Sequence, residues 1–297
     1  MDQFNAYREK RKYVSWIFMP CIIAFLLQFA ATLFVIQVAV VYSLGNFDGN
    51  TFEEYVAYVT TMMNNSNFYT SIYIIYTVLG VVIMGYFFNK MFMQSKSYSL
   101  KGRSSNIGYT LGGVVLFSIG MEYVSIYLLN SVGSAIPEWM AEYEQVLESA
   151  GLMGDVSPLM IVYALILGPI CEELIFRGVT YHSAAKVMPY YWAIIVQAIL
   201  FGAFHMNHLQ SLYAFVLGLG LGYIMYLYDN IIITILIHMA YNIIGTVLSE
   251  LLPVGGNTPI TFFMCVLFAL LVTYGGVILL KKGAIIPIKN EEENTDI

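Results

Sequence analysis

The chain has 297 residues, of which 59% are hydrophobic, 15% aromatic and only 11% charged. Soluble domains usually carry about 25% Asp, Glu, Lys and Arg, so this composition excludes an ordinary soluble protein and predicts a polytopic membrane protein. The formal net charge of −6 excludes the basic surface that nucleic-acid binding requires. The three cysteines lie far apart within apolar runs, which argues against a disulfide framework.

Eight apolar segments are long enough to cross a bilayer, which takes about 20 residues of helix. They are residues 14–44, 68–88, 107–130, 159–180, 190–208, 210–228, 231–250 and 260–280. The sequence therefore predicts an all-α membrane protein with about eight transmembrane helices. A basic cluster precedes the first segment, but its apolar run is longer than that of a signal peptide, so we expect a retained membrane anchor.

Charged residues in the connecting segments predict the orientation of these spans. With the N-terminus in the cytoplasm and the loops alternating between the two sides, all 13 Lys and Arg residues fall on the cytoplasmic side. The outer loops then carry only acidic residues. Because cytoplasmic loops of membrane proteins are enriched in Lys and Arg, we expect both termini in the cytoplasm. The alternative that stays open is that one of the short adjacent segments re-enters the membrane instead of crossing it.

Two segments outside the predicted spans have a composition of their own. Residues 137–156 place Trp139 and Tyr143 at helical spacing among glutamates. This pattern fits either a helix lying along the outer membrane interface or an ordinary solvated loop. The tail that follows Lys282 contains three consecutive glutamates, and we expect it to be disordered.

The fourth predicted span carries three ionisable residues, which is unusual because each costs roughly 2.5–3.5 kcal/mol at the bilayer centre on insertion scales. Glu173 and Arg177 are four residues apart with the acid first, the favourable order for an ion pair on a helix. Adjacent helical residues point about 100° apart, so Glu172 faces away from this pair. A carboxylate in such a low-dielectric site can act as a general base or acid.

Further polar residues lie in the fifth and seventh predicted spans. The fifth contains Phe201 and His205, and the seventh contains His238 and Asn242. His238 and Asn242 are four residues apart and share a helix face, so both can donate hydrogen bonds to one point. Two histidines and a carboxylate on neighbouring spans predict a functional site that includes Glu172.

Other notable residues in the spans are interpreted as structural. We expect Glu122, isolated in the third span, to be a protonated or hydrogen-bonded structural acid, and His182 to have a packing role. Gly218 and Gly222 form a small-xxx-small face that predicts close helix packing. The role of His208, one turn beyond His205, stays open, as does that of Glu122 if it is not structural.

In their order and on separate spans, these residues resemble the three motifs of the CPBP family of intramembrane endopeptidases, which includes CAAX proteases and the bacteriocin-processing Abi proteins. The matching motifs are Glu172-Glu173-xxx-Arg177, then Phe201-xxx-His205, then His238-xxx-Asn242. The chain then divides into a three-span N-terminal region with the outer acidic segment, a four-span catalytic core, and the last span with its tail. These regions are residues 1–156, 157–250 and 251–297.

The resemblance implies an intramembrane endopeptidase that hydrolyses a peptide bond in a membrane-associated peptide or protein. Glu172 and His205 would activate a water molecule that attacks the peptide carbonyl. His238 and Asn242 would stabilise the resulting oxyanion by hydrogen bonds. The remaining motif residues would support this geometry: Glu173, Arg177 and Phe201.

The resemblance leaves the metal requirement open. A metal-free glutamic peptidase is the favoured reading, and no cofactor is then required. Zinc is the alternative, with Glu172, His205 and His238 as ligands and an open fourth position. Cys171 as a nucleophile is the least favoured interpretation, because nothing nearby in the sequence activates its thiol.

Two functions from other classes stay open at this point. Buried carboxylates and histidines also mark ion-coupled secondary transporters, and a non-catalytic immunity or interaction protein could keep the same scaffold. The expected partners are a peptide or protein substrate and the lipid bilayer, with no nucleic acid. We expect a multi-pass protein of a bacterial plasma membrane. The substrate stays open among a prenylated C-terminus, a bacteriocin leader and a signalling-peptide precursor.

Overall fold

The computed structural model describes residues 3–94, 104–153, 156–248, 255 and 258–285. These residues are almost entirely helical, and the described part of the chain contains no β-strand. Six of its helices are long and apolar enough to cross a membrane, and two more are shorter apolar helices. The prediction of an all-α polytopic membrane protein is confirmed. The predicted acidic tail lies outside the described residues from position 286 onwards.

Ten helices are described in chain order within these residues. The first five are α1 (Gln3–Asn46), α2 (Phe52–Met63), α3 (Ser66–Phe88), α4 (Ile107–Ala135) and α5 (Pro137–Ser149). The next five are α6 (Pro158–Ala185), α7 (Tyr190–Phe204), α8 (His208–Tyr228), α9 (Ile231–Val247) and α10 (Pro259–Gly283).

The fifth predicted span is shorter than the sequence suggested. Helix α7 ends at Phe204, and Met206 adopts a left-handed backbone conformation with φ of 56°. The Asn207 side chain then accepts a hydrogen bond from the backbone N–H of Gln210, which stabilises the start of α8. This tight turn therefore separates α7 from α8 at the position of His205.

Helix α2 lies in the connection between the first and second predicted spans. Its N-terminus is stabilised by a capping box, in which the Thr51 hydroxyl accepts from the backbone N–H of Glu54 and the Glu54 carboxylate accepts from that of Thr51. The backbone N–H of Asn50 also donates to this carboxylate, and these backbone hydrogen bonds hold the pKa of Glu54 below its ordinary value. The capping signal Thr-x-x-Glu is readable in the sequence and indicates this helix.

The chain forms two compact units. One comprises Met1–Lys96 and Ser125–Gly222, and the other comprises Ser97–Val124 and Tyr223–Ile297. The long helices α4 and α8 each contribute to both units. The sequence analysis divided the chain into residues 1–156, 157–250 and 251–297 according to where the motifs lie. The two units are defined by packing instead, so this division stays a prediction.

In the first unit, α1 packs against α3 and α6. Helices α3 and α6 approach closely where Gly80 faces Cys171, since a Cβ atom at Gly80 would lie 2.5 Å from the Cys171 sulfur. All three cysteines of the chain are free thiols. The small residue at this crossing lets two apolar helices bring their side chains together, as is typical of membrane helix packing.

In the second unit, α4 packs against α9 and α10. The Ser118 hydroxyl donates to the Ile237 carbonyl at 3.2 Å, and the Tyr228 hydroxyl donates to the Leu280 carbonyl at 2.7 Å. A side chain at Gly120 would collide with the backbone of Thr273. Backbone contact through glycines and buried hydroxyls therefore holds this unit together.

Helix α6 contains two π-helical segments, Tyr163–Leu167 and Leu174–Tyr181, on either side of Gly168–Glu173. Pro169 explains the first one, because proline lacks an N–H and its ring clashes with the carbonyl four residues earlier. The helix responds by pairing the N–H of Gly168 with the carbonyl of Tyr163, five residues back. π-helical turns are rare and are frequent at functional sites.

Candidate active site

Glu173 and Arg177 form the ion pair that their spacing predicts. The Arg177 Nη1 atom donates to Glu173 Oε1 at 2.8 Å, and both side chains are fully buried. The Arg177 guanidinium also lies over the Phe201 ring of α7, 4.4 Å from its centroid. Its Nη2 atom lies 3.5 Å from the Gly218 carbonyl of α8. Arg177 therefore links α6, α7 and α8.

Gln197 is a buried polar residue that the sequence analysis missed. Its Nε2 atom donates to the carbonyls of Ile194 at 2.9 Å and Gly218 at 2.7 Å. A side chain at Gly222 would collide with this amide, and one at Gly218 would lie 3.0 Å from the backbone of Ala198. The close packing predicted for the small-residue face of α8 is confirmed. A glutamine in the middle of an apolar span was the available signal.

Glu172 differs from Glu173 in its surroundings, as expected from their different helix faces. Glu173 is fully buried, whereas Glu172 is partly exposed. The Glu172 carboxylate interacts electrostatically with the phenols of Tyr76 and Tyr163 and also with Arg177. The charge of Arg177 therefore acts on both glutamates, although its direct contact is with Glu173.

His205 is the residue that follows the last turn of α7. Its Nδ1 atom lies 2.9 Å from the Phe201 carbonyl. A carbonyl oxygen can only accept, so Nδ1 carries the hydrogen and the Nε2 atom of the neutral ring carries the lone pair. The His205 ring also meets the Phe201 ring edge-on, with centroids 5.0 Å apart. The orientation of His205 is thus fixed with Nε2 as its acceptor.

Phe201 connects the ion pair to the histidine. Its ring lies under the Arg177 guanidinium and against the imidazole of His205, and it is almost fully buried. When a phenylalanine precedes a histidine by four residues on a helix, both the phenylalanine ring and its backbone carbonyl can contact the imidazole. This packing gives a physical reason for the Phe-xxx-His spacing.

His208 contacts the outer segment that the sequence left open between helix and loop. Residues of this segment form α5, and its Trp139 ring stacks on the His208 ring with centroids 4.6 Å apart and planes 9° apart. The Glu142 carboxylate accepts from His208 Nδ1 at 2.9 Å. Both members of this pair are more than half exposed. His208 therefore attaches α5 to the first turn of α8.

His238 and Asn242 lie on α9 in the second unit. His238 is buried and Asn242 is partly exposed. Gly245 is three residues beyond Asn242, and a Cβ atom there would lie 2.9 Å from both carboxylate oxygens of the buried Glu122. Glu122 thus packs against the helix turn that follows Asn242. The meeting of His238 and Asn242 with Glu172 and His205 stays a prediction.

The zinc alternative requires three ligands close together. In the part of the chain that the structure describes, no group of three or more His, Cys, Asp or Glu side chains is close enough to hold a metal ion. The assignment of Glu172, His205 and His238 as zinc ligands stays a prediction.

Comparison with known families bears directly on this region. Residues 155–244 match the family model described as Rce1-like, type II CAAX prenyl endopeptidase. The predicted family resemblance is confirmed. The matched segment contains all three motifs, and its family is one of proteases, which supports a peptidase. Neither the curated proteins nor the solved structures gave a match.

Proposed function

We propose that this protein is a metal-free intramembrane endopeptidase of the Rce1-like type. The observation that carries the proposal is the family match over residues 155–244, since it includes every motif residue. The buried contacts around Arg177 support it, because they hold the elements that carry Glu172 and His205 in a fixed geometry. A multi-pass protein with such a site acts on a peptide or protein that reaches it from the bilayer.

In the proposed mechanism, Glu172 and His205 activate one water molecule. Glu172 accepts a proton from the water, while the Nε2 lone pair of His205 orients it toward the substrate carbonyl. The water oxygen bonds to the carbonyl carbon, and the tetrahedral intermediate forms. Glu172 then returns the proton to the nitrogen as the C–N bond breaks, which leaves a carboxylic acid and an amine.

His238 and Asn242 are assigned to the oxyanion of that intermediate. Both side chains carry N–H donors, and their spacing of four residues lets them point to one acceptor. One such donor contributes about 3–4 kcal/mol to transition-state stabilisation in comparable sites. This role requires both donors to reach the same carbonyl oxygen as the attacking water.

The description of the matched family supports one substrate class over the others. A prenylated protein with a C-terminal CAAX sequence is the first candidate, and cleavage after the prenylated cysteine would release a tripeptide. A bacteriocin leader or a signalling-peptide precursor is the other outcome to be tested. We place the protein in a bacterial plasma membrane on the basis of its composition.

The first experiment compares wild-type protein with Glu172→Gln in detergent, on a farnesylated peptide that ends in a CAAX sequence. We expect the substitution to lower kcat by about 10²–10⁴-fold, the usual contribution of general acid–base catalysis. Cys171→Ser is the matched control at the neighbouring position, and it should retain activity. Equal cleavage by wild type and Glu172→Gln would contradict the proposal, whereas loss in Cys171→Ser would favour a thiol nucleophile.

A second readout covers the other substrate classes. Terminus-enriched mass spectrometry on membranes and medium compares cells that express wild type or Glu172→Gln at matched levels. New peptide ends that require Glu172 would identify the substrate. Identical ends in both samples, together with no cleavage of the prenylated peptide, would favour a transporter or a non-catalytic scaffold.

A further inference from the structure

Met206 lies in the turn between α7 and α8, directly after His205, and belongs to none of the three motifs. Its side chain is 81% exposed, more than any other large apolar side chain in the described part of the chain. So little of its surface is buried that packing within the first unit does not account for an apolar residue here. The proposed mechanism does not use this residue.

The backbone of Met206 adopts a conformation that a methionine disfavours. Its φ of 56° lies in the left-handed region, where the Cβ atom of an L-residue comes too close to a carbonyl oxygen. Met206 follows His205, the capping residue of α7, at the position where glycine is the usual residue. Among the described residues, Asp229 is the other non-glycine with a positive φ, and aspartate adopts this conformation more readily. Backbone strain at an exposed side chain indicates a functional reason for that side chain.

Hydrogen bonds on both sides of Met206 fix this turn. The backbone N–H of Met206 donates to the Ala203 carbonyl at 3.2 Å. On the other side, Asn207 is buried, and its side chain accepts from the backbone N–H of Gln210 at 3.0 Å. The Met206 side chain therefore starts from a backbone position that is held in place, one residue from His205.

The position of Met206 relative to His205 determines what its side chain can reach. Consecutive Cα atoms are about 3.8 Å apart, and a methionine side chain is long and unbranched. The Phe201 carbonyl holds His205 Nδ1, so Nε2 is the nitrogen available to a water. A substrate whose scissile carbonyl lies near this Nε2 atom brings the groups that flank its scissile bond within reach of Met206. A thioether side chain suits hydrocarbon groups there, because it is apolar and adapts to irregular surfaces.

We propose that Met206 is a specificity-determining residue that contacts a hydrocarbon group of the substrate next to the scissile bond. In a prenylated CAAX peptide, this group is the isoprenoid on the cysteine or the aliphatic side chain that follows it. The left-handed backbone presents the methionine before the substrate binds, so the strain serves binding rather than packing. The inference rests on the proposed function, because it takes His205 as the place of the reaction.

Substitution by asparagine tests the side chain while it keeps the turn. Asparagine adopts the left-handed conformation readily, so Met206→Asn should unfold in detergent at the wild-type temperature or above it. On the farnesylated CAAX peptide, it should lower kcat/KM about tenfold, because a polar amide replaces an apolar contact. Met206→Leu should recover most of this loss, since leucine restores an apolar side chain of similar volume. Met153→Asn, at another exposed methionine, is the matched control and should leave kcat/KM unchanged.

Two altered peptides identify the contacted group. In one, the cysteine carries an S-methyl group in place of farnesyl, and in the other, serine replaces the aliphatic residue after the cysteine. If Met206 contacts the isoprenoid, the loss in kcat/KM caused by Met206→Asn should shrink at least about threefold on the S-methyl peptide. If Met206 contacts the aliphatic side chain, the loss should shrink by a similar factor on the serine peptide.

The outcomes separate this inference from the proposed function. If Glu172→Gln abolishes cleavage and Met206→Asn keeps the wild-type kcat/KM, the contact is wrong while the peptidase stands. An equal loss on all three peptides, or a loss that Met206→Leu does not recover, would also overturn the contact. So would Glu172-dependent cleavage in cells between two polar residues. If wild type and Glu172→Gln behave alike on every peptide, the peptidase proposal fails, and the inference fails with it.

Discussion

Arg177 is a fully buried cation whose contacts come from three helices. The Glu173 carboxylate lies 2.8 Å from its Nη1 atom, and the Phe201 ring covers its face. Removing one partner of a buried ion pair lowers the free energy of unfolding by more than the intact pair adds to it. The reason is that the remaining charge stays unpaired in a low-dielectric site. The pair is therefore a sensitive point for the stability of the first unit.

Glu173→Ala should lower the free energy of unfolding by about 3–5 kcal/mol, because Arg177 loses its contacting carboxylate while it stays buried. The measurement is thermal unfolding in detergent. Glu53→Ala, which removes an exposed carboxylate of α2, should change stability by less than about 0.5 kcal/mol. The double variant Glu173→Leu/Arg177→Met should recover part of the loss, since it removes both charges. An unchanged unfolding temperature for Glu173→Ala would contradict this account.

At the level of residues, the sequence predicted what depends on helical spacing alone. The pair of Glu173 and Arg177 lies on one helix, so its spacing was sufficient. Gln197 was missed because its acceptor at Gly218 lies on another helix.

At the level of elements, α5 shows what sequence spacing leaves undecided. The acidic and aromatic pattern of residues 137–156 fitted a helix or a loop equally well. The helix forms over Pro137–Ser149, and Trp139 and Glu142 attach it to His208. Glu142 and His208 are 66 positions apart in the chain. Local sequence patterns do not predict a contact between residues so far apart in sequence.

Removing the Trp139 ring should loosen α5. Exposed ion pairs contribute little, so the ring that stacks on His208 should matter more than the Glu142 carboxylate. With a glutamate-specific protease, we expect Trp139→Ala to speed cleavage after Glu144 and Glu148, both in α5, several-fold, and Glu142→Gln to change cleavage at these two sites less. Cleavage at Glu53 in α2 is the internal control, and its rate should stay unchanged.

Equal cleavage rates in wild type and Trp139→Ala would show that the stack does not hold α5. A larger effect of Glu142→Gln than of Trp139→Ala would reverse the assigned order and make the ion pair the main attachment. The His208→Ala variant removes both contacts at once. It should therefore match or exceed Trp139→Ala.

At the level of the whole molecule, composition predicted the class of protein, because an apolar chain with few charges can bury its surface only in a bilayer. The positions of the long helices followed from their apolar runs. Helices α7 and α9 have 15 and 17 residues, about 22 and 25 Å at 1.5 Å per residue. The hydrocarbon core is about 30 Å thick, so both helices are shorter than a full crossing requires. For α7 and α9, an experiment therefore has to decide whether the helix crosses the membrane or re-enters it from one side.

Cysteine accessibility tests the predicted orientation, in a background that lacks the three native cysteines. Asp48→Cys lies in the acidic segment after α1, Lys186→Cys follows α6, and Met206→Cys lies in the turn after α7, where the methionine is 81% exposed. If every span crosses the membrane, a membrane-impermeant maleimide should label positions 48 and 206 in intact cells. It should label position 186 only after permeabilisation.

The position of Met206 also decides on which side of the membrane His205 lies, because the two residues are adjacent in the turn between α7 and α8. Labelling of position 206 from outside would place the His205 turn toward the outer side, opposite to Lys186. If positions 206 and 186 are labelled together, and only after permeabilisation, α7 re-enters the membrane and the count of eight crossings is wrong. A water that Glu172 and His205 share would then have to enter from the cytoplasmic side.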